Sequence, residues 1–124
     1  MVFCDYGKQM LAIRLGSNID FARCCAVGTG SAIEQASDKI LNDEWDYAAG
    51  ARLMVGSVDY SVNKKITFIT DWNSVQISGC QLKEFGLFMS GTTNTGSLFL
   101  RQAFPNISFD GTNEARVEIT IELF

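Results

Sequence analysis

The residues that could carry out chemistry are few, because this chain of 124 residues contains no histidine. Histidine is the most frequent metal ligand in proteins and the usual general base near neutral pH. Its absence excludes catalysis by Ser-His-Asp and Cys-His groups. Any reaction or metal site would therefore have to use cysteines, carboxylates or backbone amides.

The four cysteines offer a remaining route to a zinc site, but their spacing does not favour one. No C-x-x-C pair occurs among Cys4, Cys24, Cys25 and Cys80, and neighbouring residues of a strand point to opposite faces. We interpret them as small apolar side chains that stay thiols in a reducing cytosol, although the sequence leaves disulfide pairing open. The sequence thus predicts no metal and no cofactor.

Two polar groups could in principle bind ions. Gly28-Thr-Gly-Ser31 follows a predicted strand and could offer backbone amides to a phosphate, but the complete P-loop and dinucleotide patterns are absent. The acidic group of Asp43, Glu44 and Asp46 lacks the glycine and the alternating oxygen ligands of a calcium loop. We therefore predict a structural turn for the first group and a solvated helix end for the second.

Glu84 lies in an apolar setting, among Leu82, Phe85 and Leu87. Burial in such a setting raises the pKa of a carboxyl group, which is a property of the general acid of a glycosidase. An ion pair with Arg52 or Arg101 explains the same carboxylate more simply. We favour the ion pair, so the sequence predicts a structural role for Glu84 and no catalytic residue.

The composition predicts one folded domain over residues 1–124, with 47% apolar and 19% charged residues. The net charge of −4 and the scattered basic residues argue against nucleic-acid binding. An acidic chain without a long apolar run is also not expected at a membrane. Because Asp5, Lys8 and Arg14 interrupt the N-terminal segment, it does not resemble a secretory signal, which predicts synthesis in the cytoplasm.

Apolar periodicity and turn residues predict an antiparallel β-sandwich or barrel-like fold with one or two short helices in the N-terminal part. The last strand is the clearest, because apolar and polar residues alternate from Ala115 to Leu123. The Asp110-Gly111 turn predicts that it pairs with 107–109 or with the strand that begins at Ser97. The predicted elements are a helix over 5–15, a buried strand over 21–27, a short helix over 37–44, a hairpin of strands 52–62 and 65–72, two short strands around a bend in 75–89, an exposed loop over 90–96, a strand over 97–104 halted by Pro105, and the last strand.

Several short motifs follow one another in a distinctive order along the chain. They are Ala26-Val-Gly-Thr-Gly-Ser31, Ser37-Asp38 with Leu41 and Glu44, Arg52, Gln81-Leu-Lys-Glu-Phe-Gly-Leu-Phe88, Gly96-Ser-Leu-Phe-Leu-Arg101 and a closing strand over 114–124. This order resembles small structural proteins of tailed-phage particles, and it is similar to the I-x-E-x-G-L-F … G-x-L … R pattern of these virion proteins, including the N-terminal attachment domain of tail-collar fibres. The resemblance covers residues 22–124. The collar fibres continue into a long shaft after the position that corresponds to Phe124.

The resemblance implies a non-enzymatic building block of the virion, synthesised in the host cytoplasm. A domain without a shaft fits a capsid decoration or cement protein, or an adaptor at the neck or tail. Its expected partners are copies of itself, with a trimer favoured, and major capsid, neck or tail proteins. The alternatives are a free-standing module that binds a carbohydrate or another ligand, and an enzyme that uses carboxylates.

The contact surface is expected to combine aromatic residues with the polar loop over 90–96, since aromatic side chains are enriched at protein interfaces. Trp72 is assigned to the core instead, because it ends a predicted strand. The candidate interface residues are Phe3, Tyr6, Trp45, Tyr47, Thr92, Thr93, Asn94 and Phe124.

Overall fold

The chain folds into two antiparallel β-sheets that pack as a sandwich, which confirms the predicted class and excludes a closed barrel. The computed structural model describes residues 1–9, 24–46, 52–59, 61–62, 64–92 and 96–122. The strands are β1 (Val2–Phe3), β2 (Cys24–Gly28), β3 (Leu53–Met54), β4 (Ser57–Asp59), β5 (Lys65–Trp72), β6 (Gln81–Phe88), β7 (Leu98–Ser108) and β8 (Ala115–Glu122). A five-stranded sheet has the order β1-β7-β6-β2-β3, and a three-stranded sheet has the order β4-β5-β8.

The main core lies between the two sheets and contains side chains from both. Phe68 and Trp72 of β5 face Val27 of β2 and Leu87 of β6 across the sandwich, and all four are buried. Trp72 is therefore a core residue, as its position at a strand end predicts. Alternate apolar residues of β8 complete this layer.

The five-stranded sheet is covered on its second face as well. Cys24, Ala26, Leu41, Phe88 and Leu98 form a separate buried cluster there. This double cover explains why every residue of β2 is buried, and why the adjacent Cys24 and Cys25 lie in different clusters on opposite faces. All four cysteines are buried thiols.

β8 has the two-faced pattern that the sequence predicts, with a strict alternation of buried and exposed residues from Ala115 to Glu122. The prediction that this strand pairs with 107–109 or with the strand that begins at Ser97 was wrong. β8 pairs with β5 along its whole length, with Trp72 opposite Ala115 and Lys65 opposite Glu122. The Asp110-Gly111 turn carries the chain from the five-stranded sheet to the three-stranded sheet, instead of closing a hairpin within one sheet.

The predicted strand over 52–62 is two short strands in different sheets. β3 pairs with β2, and β4 pairs with β5 after a break at Val55 and Gly56. The hairpin of β4 and β5 is confirmed, and its turn includes Lys64 at a φ of 65°, a left-handed conformation that non-glycine residues rarely adopt.

Pro105 does not end β7, which continues to Ser108. The register between β6 and β7 shifts between Glu84, opposite Ala103, and Leu82, opposite Ile107. Pro105 lies in this irregular part of the ladder, where the missing N–H costs no regular strand hydrogen bond. The prediction that the strand stops at Phe104 was therefore wrong.

The segment 75–89 also differs from its prediction of two short strands. Residues 74–79 form turns, in which the side chain of Asn73 accepts hydrogen bonds from the amides of Val75 and Gln76. β6 is then one continuous strand through Gly86. A Cβ at Gly86 would lie 2.8 Å from Leu98 Cδ1, so this glycine permits close packing and does not mark a bend.

The two predicted helices have different outcomes. Residues 5–9 are helical, and the rest of the helix predicted over 5–15 lies outside the described residues, as do residues 21–23 of the predicted first strand. The helix predicted over 37–44 is absent, since these residues form turns and bends. Over the part of the chain that the structure describes, no helix has the length and apolar character that a membrane crossing requires.

We expect alkaline pH to destabilise the protein through Cys25. Burial raises the pKa of its thiol from 9.0 to about 12, which a hydrogen bond with Thr70 partly opposes. Above pH 9 the unfolded chain releases a proton that the folded chain keeps, so this contribution to stability is full below pH 9 and is lost as the pH rises toward 12. Urea unfolding between pH 8 and about pH 11 should show a falling midpoint, with a shallower fall in Cys25→Ala. Equal falls in both proteins would contradict this assignment.

Candidate functional site

A buried carboxylate, that of Glu84 on β6, organises the polar residues of the chain. Its side chain is fully buried, and its two oxygens accept four hydrogen bonds. Oε2 accepts from the amides of Gly30 at 2.7 Å and Asp43 at 2.8 Å. Oε1 accepts from the amide of Asn42 at 2.8 Å and from Arg101 Nε at 3.0 Å. Every donor that a buried carboxylate requires is thus supplied by the protein itself.

Arg101 on β7 extends this network to the surface loop. Its Nη1 donates to Asp38 Oδ2 at 3.1 Å, and its Nη2 donates to the carbonyl oxygen of Ala32 at 2.8 Å. All three guanidinium nitrogens therefore have partners, and the side chain is 2% exposed. We call Glu84, Arg101 and the groups that bind them the Glu84 clamp, because it joins the loop over 29–44 to the five-stranded sheet.

The Glu84 clamp requires glycine at the last residue of β2 and in the loop that follows it. A Cβ at Gly30 would collide with Glu84 Oε2, and a Cβ at Gly28 would lie 2.8 Å from Glu84 Cγ. Gly28 ends β2 and residues 29–31 continue as an irregular segment in place of the predicted turn. The backbone amide of Gly30 does bind an anion, and that anion is the side chain of Glu84.

A second buried ion pair lies beside the first. Arg52 Nε and Nη2 donate to the carboxylate of Glu44 at 2.9–3.2 Å, and both side chains are fully buried. Arg52 Nη1 donates to the carbonyl oxygen of Ser90 at 3.0 Å, and the guanidinium carbon lies 3.5 Å from the ring centroid of Phe88. Of the two arginines predicted as partners of Glu84, Arg101 is the one that pairs with it, whereas Arg52 pairs with Glu44.

These contacts explain why residues 37–44 are not helical. A helix would direct the amides of Asn42 and Asp43 to carbonyl oxygens within the segment, but Glu84 takes both. The carboxylate of Asp38 also accepts a hydrogen bond from the amide of Gln35, a local bond that competes with helix formation. Glu44 is buried, so the predicted solvated acidic helix end was wrong at this residue.

An open depression lies above the Glu84 clamp. It has a volume of about 620 Å³, and Arg101 lines it from within the clamp. A smaller depression of about 220 Å³ shares residues 37–39 and Gly96 with it and extends to Asp5 and Tyr6. The residues that line the larger depression are Ala32, Ser37, Asp38, Lys39, Ile40, Leu41, Asn42, Gly96 and Arg101.

The described residues offer no cluster of cysteines and carboxylates that could hold a metal ion. Glu84 does not reach solvent, and both of its oxygens already accept hydrogen bonds from protein groups. The arrangement therefore suits a structural ion pair, and it does not present a carboxylate to a substrate in the way that a glycosidase acid requires.

The predicted interface residues lie in different settings. Tyr6 is exposed and lines the smaller depression, and Thr92 is exposed in the loop that follows β6. Phe3 and Trp45 are only partly exposed, because both pack against the main core. The Phe3 ring meets Phe99 edge to face at 5.2 Å, and the indole N–H of Trp45 donates to the carbonyl oxygen of Gln76 at 3.0 Å. Tyr47, Thr93, Asn94 and Phe124 lie outside the described residues.

Sequence reasoning did not identify the loop groups of the Glu84 clamp. Asn42 and Asp43 act through backbone amides, which no residue type reveals. The partnership of Glu44 with Arg52 had a detectable signal, since Arg52 needed an acidic partner and Glu44 lies only eight positions away. The prediction of a short helix over 37–44 gave no role to the carboxylate of Asp38, which binds Arg101.

Comparisons of the chain with protein-family models, with curated proteins and with solved structures found no match in any of the three.

We expect Glu84→Gln to destabilise the fold strongly. Glutamine retains the size of glutamate, but one carbonyl oxygen would have to satisfy four donors, and only Asp38 would remain to neutralise the buried charge of Arg101. Loss of one member of a buried ion pair costs about 3–5 kcal/mol. Urea unfolding measures this loss, and Asp71→Asn is the control because it breaks an exposed pair with Arg116. Similar losses in both variants would contradict the role assigned to Glu84.

Gly30→Ala tests the close approach of the loop to the same carboxylate. The added methyl group would collide with Glu84 Oε2 and displace the clamp, which we expect to cost about 1–3 kcal/mol. Gly96→Ala is a matched control at the edge of the depression, where the new Cβ would lie 3.6 Å from Lys39 Cβ, an ordinary contact. Its unfolding free energy should stay within about 0.5 kcal/mol of the wild-type value. Equal effects of the two alanines would exclude a steric requirement at Gly30.

Proposed function

We propose that this protein is a non-enzymatic structural component of a tailed-phage particle, either a decoration or cement protein on the capsid or an adaptor at the neck or tail. It works by binding copies of itself and neighbouring virion proteins. The observation that carries this proposal is that residues of the phage-like motifs contact one another in two buried ion pairs, Glu84–Arg101 and Glu44–Arg52.

The motif residues are distant in sequence but contact one another in the fold. Gly30 binds Glu84, Glu84 binds Arg101, and Arg101 binds Asp38. Two further motif residues, Glu44 and Arg52, also bind each other, at a separation of eight positions. A motif set of this kind specifies a fold and not a reaction, which supports relating the chain to the virion proteins through a shared framework.

The distribution of charged residues is also consistent with a building block. The acidic and basic residues that could have formed a reactive centre are buried and paired with each other. Exposed apolar side chains are available for contacts instead, among them Ile33, Met54 and Val75 at 62–81% exposure. Repetition around a symmetric particle adds many weak contacts of this kind as avidity.

The depression above the Glu84 clamp favours the alternative of a ligand-binding module. Asp38, Lys39 and Asn42 bring hydrogen-bonding groups to its wall, as a site for a small polar ligand would need. Glycan-array binding by the isolated protein, lost in Lys39→Ala, would support this alternative over the virion role.

The virion proposal predicts that the chain is part of purified particles. Particles from a phage that encodes this chain should contain it in a fixed ratio to the major capsid protein after density-gradient centrifugation. Quantitative mass spectrometry measures that ratio, and cryo-electron microscopy shows the position of the sandwich on the capsid, neck or tail. Particles from a strain in which the gene is deleted are the control. Complete particles that lack the chain in the wild-type strain would overturn the proposal.

A further inference from the structure

The edges of the two sheets are protected to very different degrees. An edge strand exposes unpaired backbone N–H and C=O groups, and proteins limit this exposure with short strands, prolines or covering side chains. β1 and β3, the edges of the five-stranded sheet, have two residues each, and β4 has three. Where β7 extends beyond β1, Glu34 accepts a hydrogen bond from the amide of Ala103, and Pro105 follows two residues later.

In the described part of the chain, β8 has none of these protections. It is eight residues long, contains no proline, and keeps a regular register with β5 from end to end. β5 occupies one of its edges, and no strand of the described residues pairs with the other. Every second residue of β8 therefore directs its N–H and C=O away from β5, where they can bind another strand.

The charges on β8 indicate which strand fits. Residues on its exposed face are Arg116, Glu118, Thr120 and Glu122. If a second β8 lies antiparallel to the first with Ile119 at the twofold axis, Arg116 of each copy faces Glu122 of the other, and Glu118 faces Thr120. Opposite charges that face each other across strands are stabilising. In the same register the buried apolar residues of the two strands also lie opposite each other, since Val117 of one copy faces Ile121 of the other.

Neighbouring registers are less favourable. Centring the pair on Glu118 places two Glu118 side chains together, and centring it on Thr120 places Glu118 opposite Glu122. Centring it on Val117 pairs Arg116 with Glu118 but leaves only residues 115–119 opposite strand residues, because β8 begins at Ala115. The register on Ile119 pairs the seven residues 116–122. The charges and the length of the paired segment together therefore favour the register on Ile119.

We propose that two copies of this chain pair through the free edges of β8, centred on Ile119, and join their three-stranded sheets into one six-stranded sheet. Arg116 remains able to bind Asp71 of its own chain, at 2.7 Å, because a guanidinium group has five N–H donors. This pairing adds a specific contact between copies to the proposed function, and the role of the contact in a particle rests on that function. A twofold contact gives a dimer in place of the trimer expected from the sequence.

A charge-exchange experiment tests the register. Arg116→Glu places two glutamates opposite each other at both ends of the dimer, and Glu122→Arg places two arginines there. Each variant alone should dimerise roughly tenfold or more weakly than the wild type, whereas an equimolar mixture of the two should form heterodimers, because both pairs of residues 116 and 122 are then opposite in charge. Sedimentation equilibrium measures the dissociation constants, and Lys8→Glu, with the same charge change as Arg116→Glu at an exposed residue outside the three-stranded sheet, should leave them unchanged.

Several outcomes would overturn the pairing. A wild-type protein that stays monomeric at high micromolar concentration, a trimer, or a mixture no tighter than the single variants each exclude it. Persistent homodimers of Glu122→Arg exclude the register on Ile119 in favour of the one on Val117. Amide hydrogen exchange on the wild type is an independent measurement, and β8 amides should exchange more slowly as the chain concentration rises. Recovery of the chain on purified particles tests the virion role separately, so the failure of one proposal is distinguishable from the failure of the other.

Discussion

A carboxylate that is removed from water must find hydrogen-bond donors for both oxygens, and this requirement at Glu84 fixes the loop over 29–44 to the five-stranded sheet. Three of its donors are backbone amides from a loop that has no regular secondary structure. The fourth is Arg101, whose charge must in turn be neutralised and whose other nitrogens must be bound. Ion pairs of this kind are weak evidence for stability but can specify one conformation, because every alternative leaves a buried charge without a partner.

The loop that the Glu84 clamp fixes determines the layers of the molecule. It places Leu41 over the second face of the five-stranded sheet, beside Ala26 and Phe88, so β2 is buried on both faces. None of the described residues covers the outer face of the three-stranded sheet in this way, and there Thr67 and Thr120 share a hydrogen bond and Asp71 binds Arg116. One sheet is therefore an interior layer, and the other is the part of the fold that is available to the surroundings.

The sequence predicted the features that depend on local pattern. Strict alternation identified β8, and a buried run before two glycines identified β2. It did not predict which strands pair, because a two-faced strand can pair at the free edge of either sheet. β8 pairs with β5 instead of with β7, which is nearer in sequence. The sequence also placed a helix at 37–44, since the residue types there cannot show that a carboxylate forty positions away will bind the backbone amides. For the same reason it identified Glu84 and Arg101 but not the loop that they hold.

The difference between the protected and the exposed edges bears on where this protein could act. The chain closes β7 with a proline and a glutamate in the part of that strand, residues 102–108, that extends past β1. A comparable device on β8 would require one proline, or one lysine in the inward row. Instead, β8 carries charges that repel a copy in the registers centred on Glu118 and Thr120, and that attract it over the longest paired segment in the register centred on Ile119. Charges with that pattern limit indiscriminate aggregation and still permit a defined contact. A subunit whose polar interior is fully occupied and whose sheet edge is selective in this way is suited to binding copies of itself, and that property is what a repeated component of a particle requires.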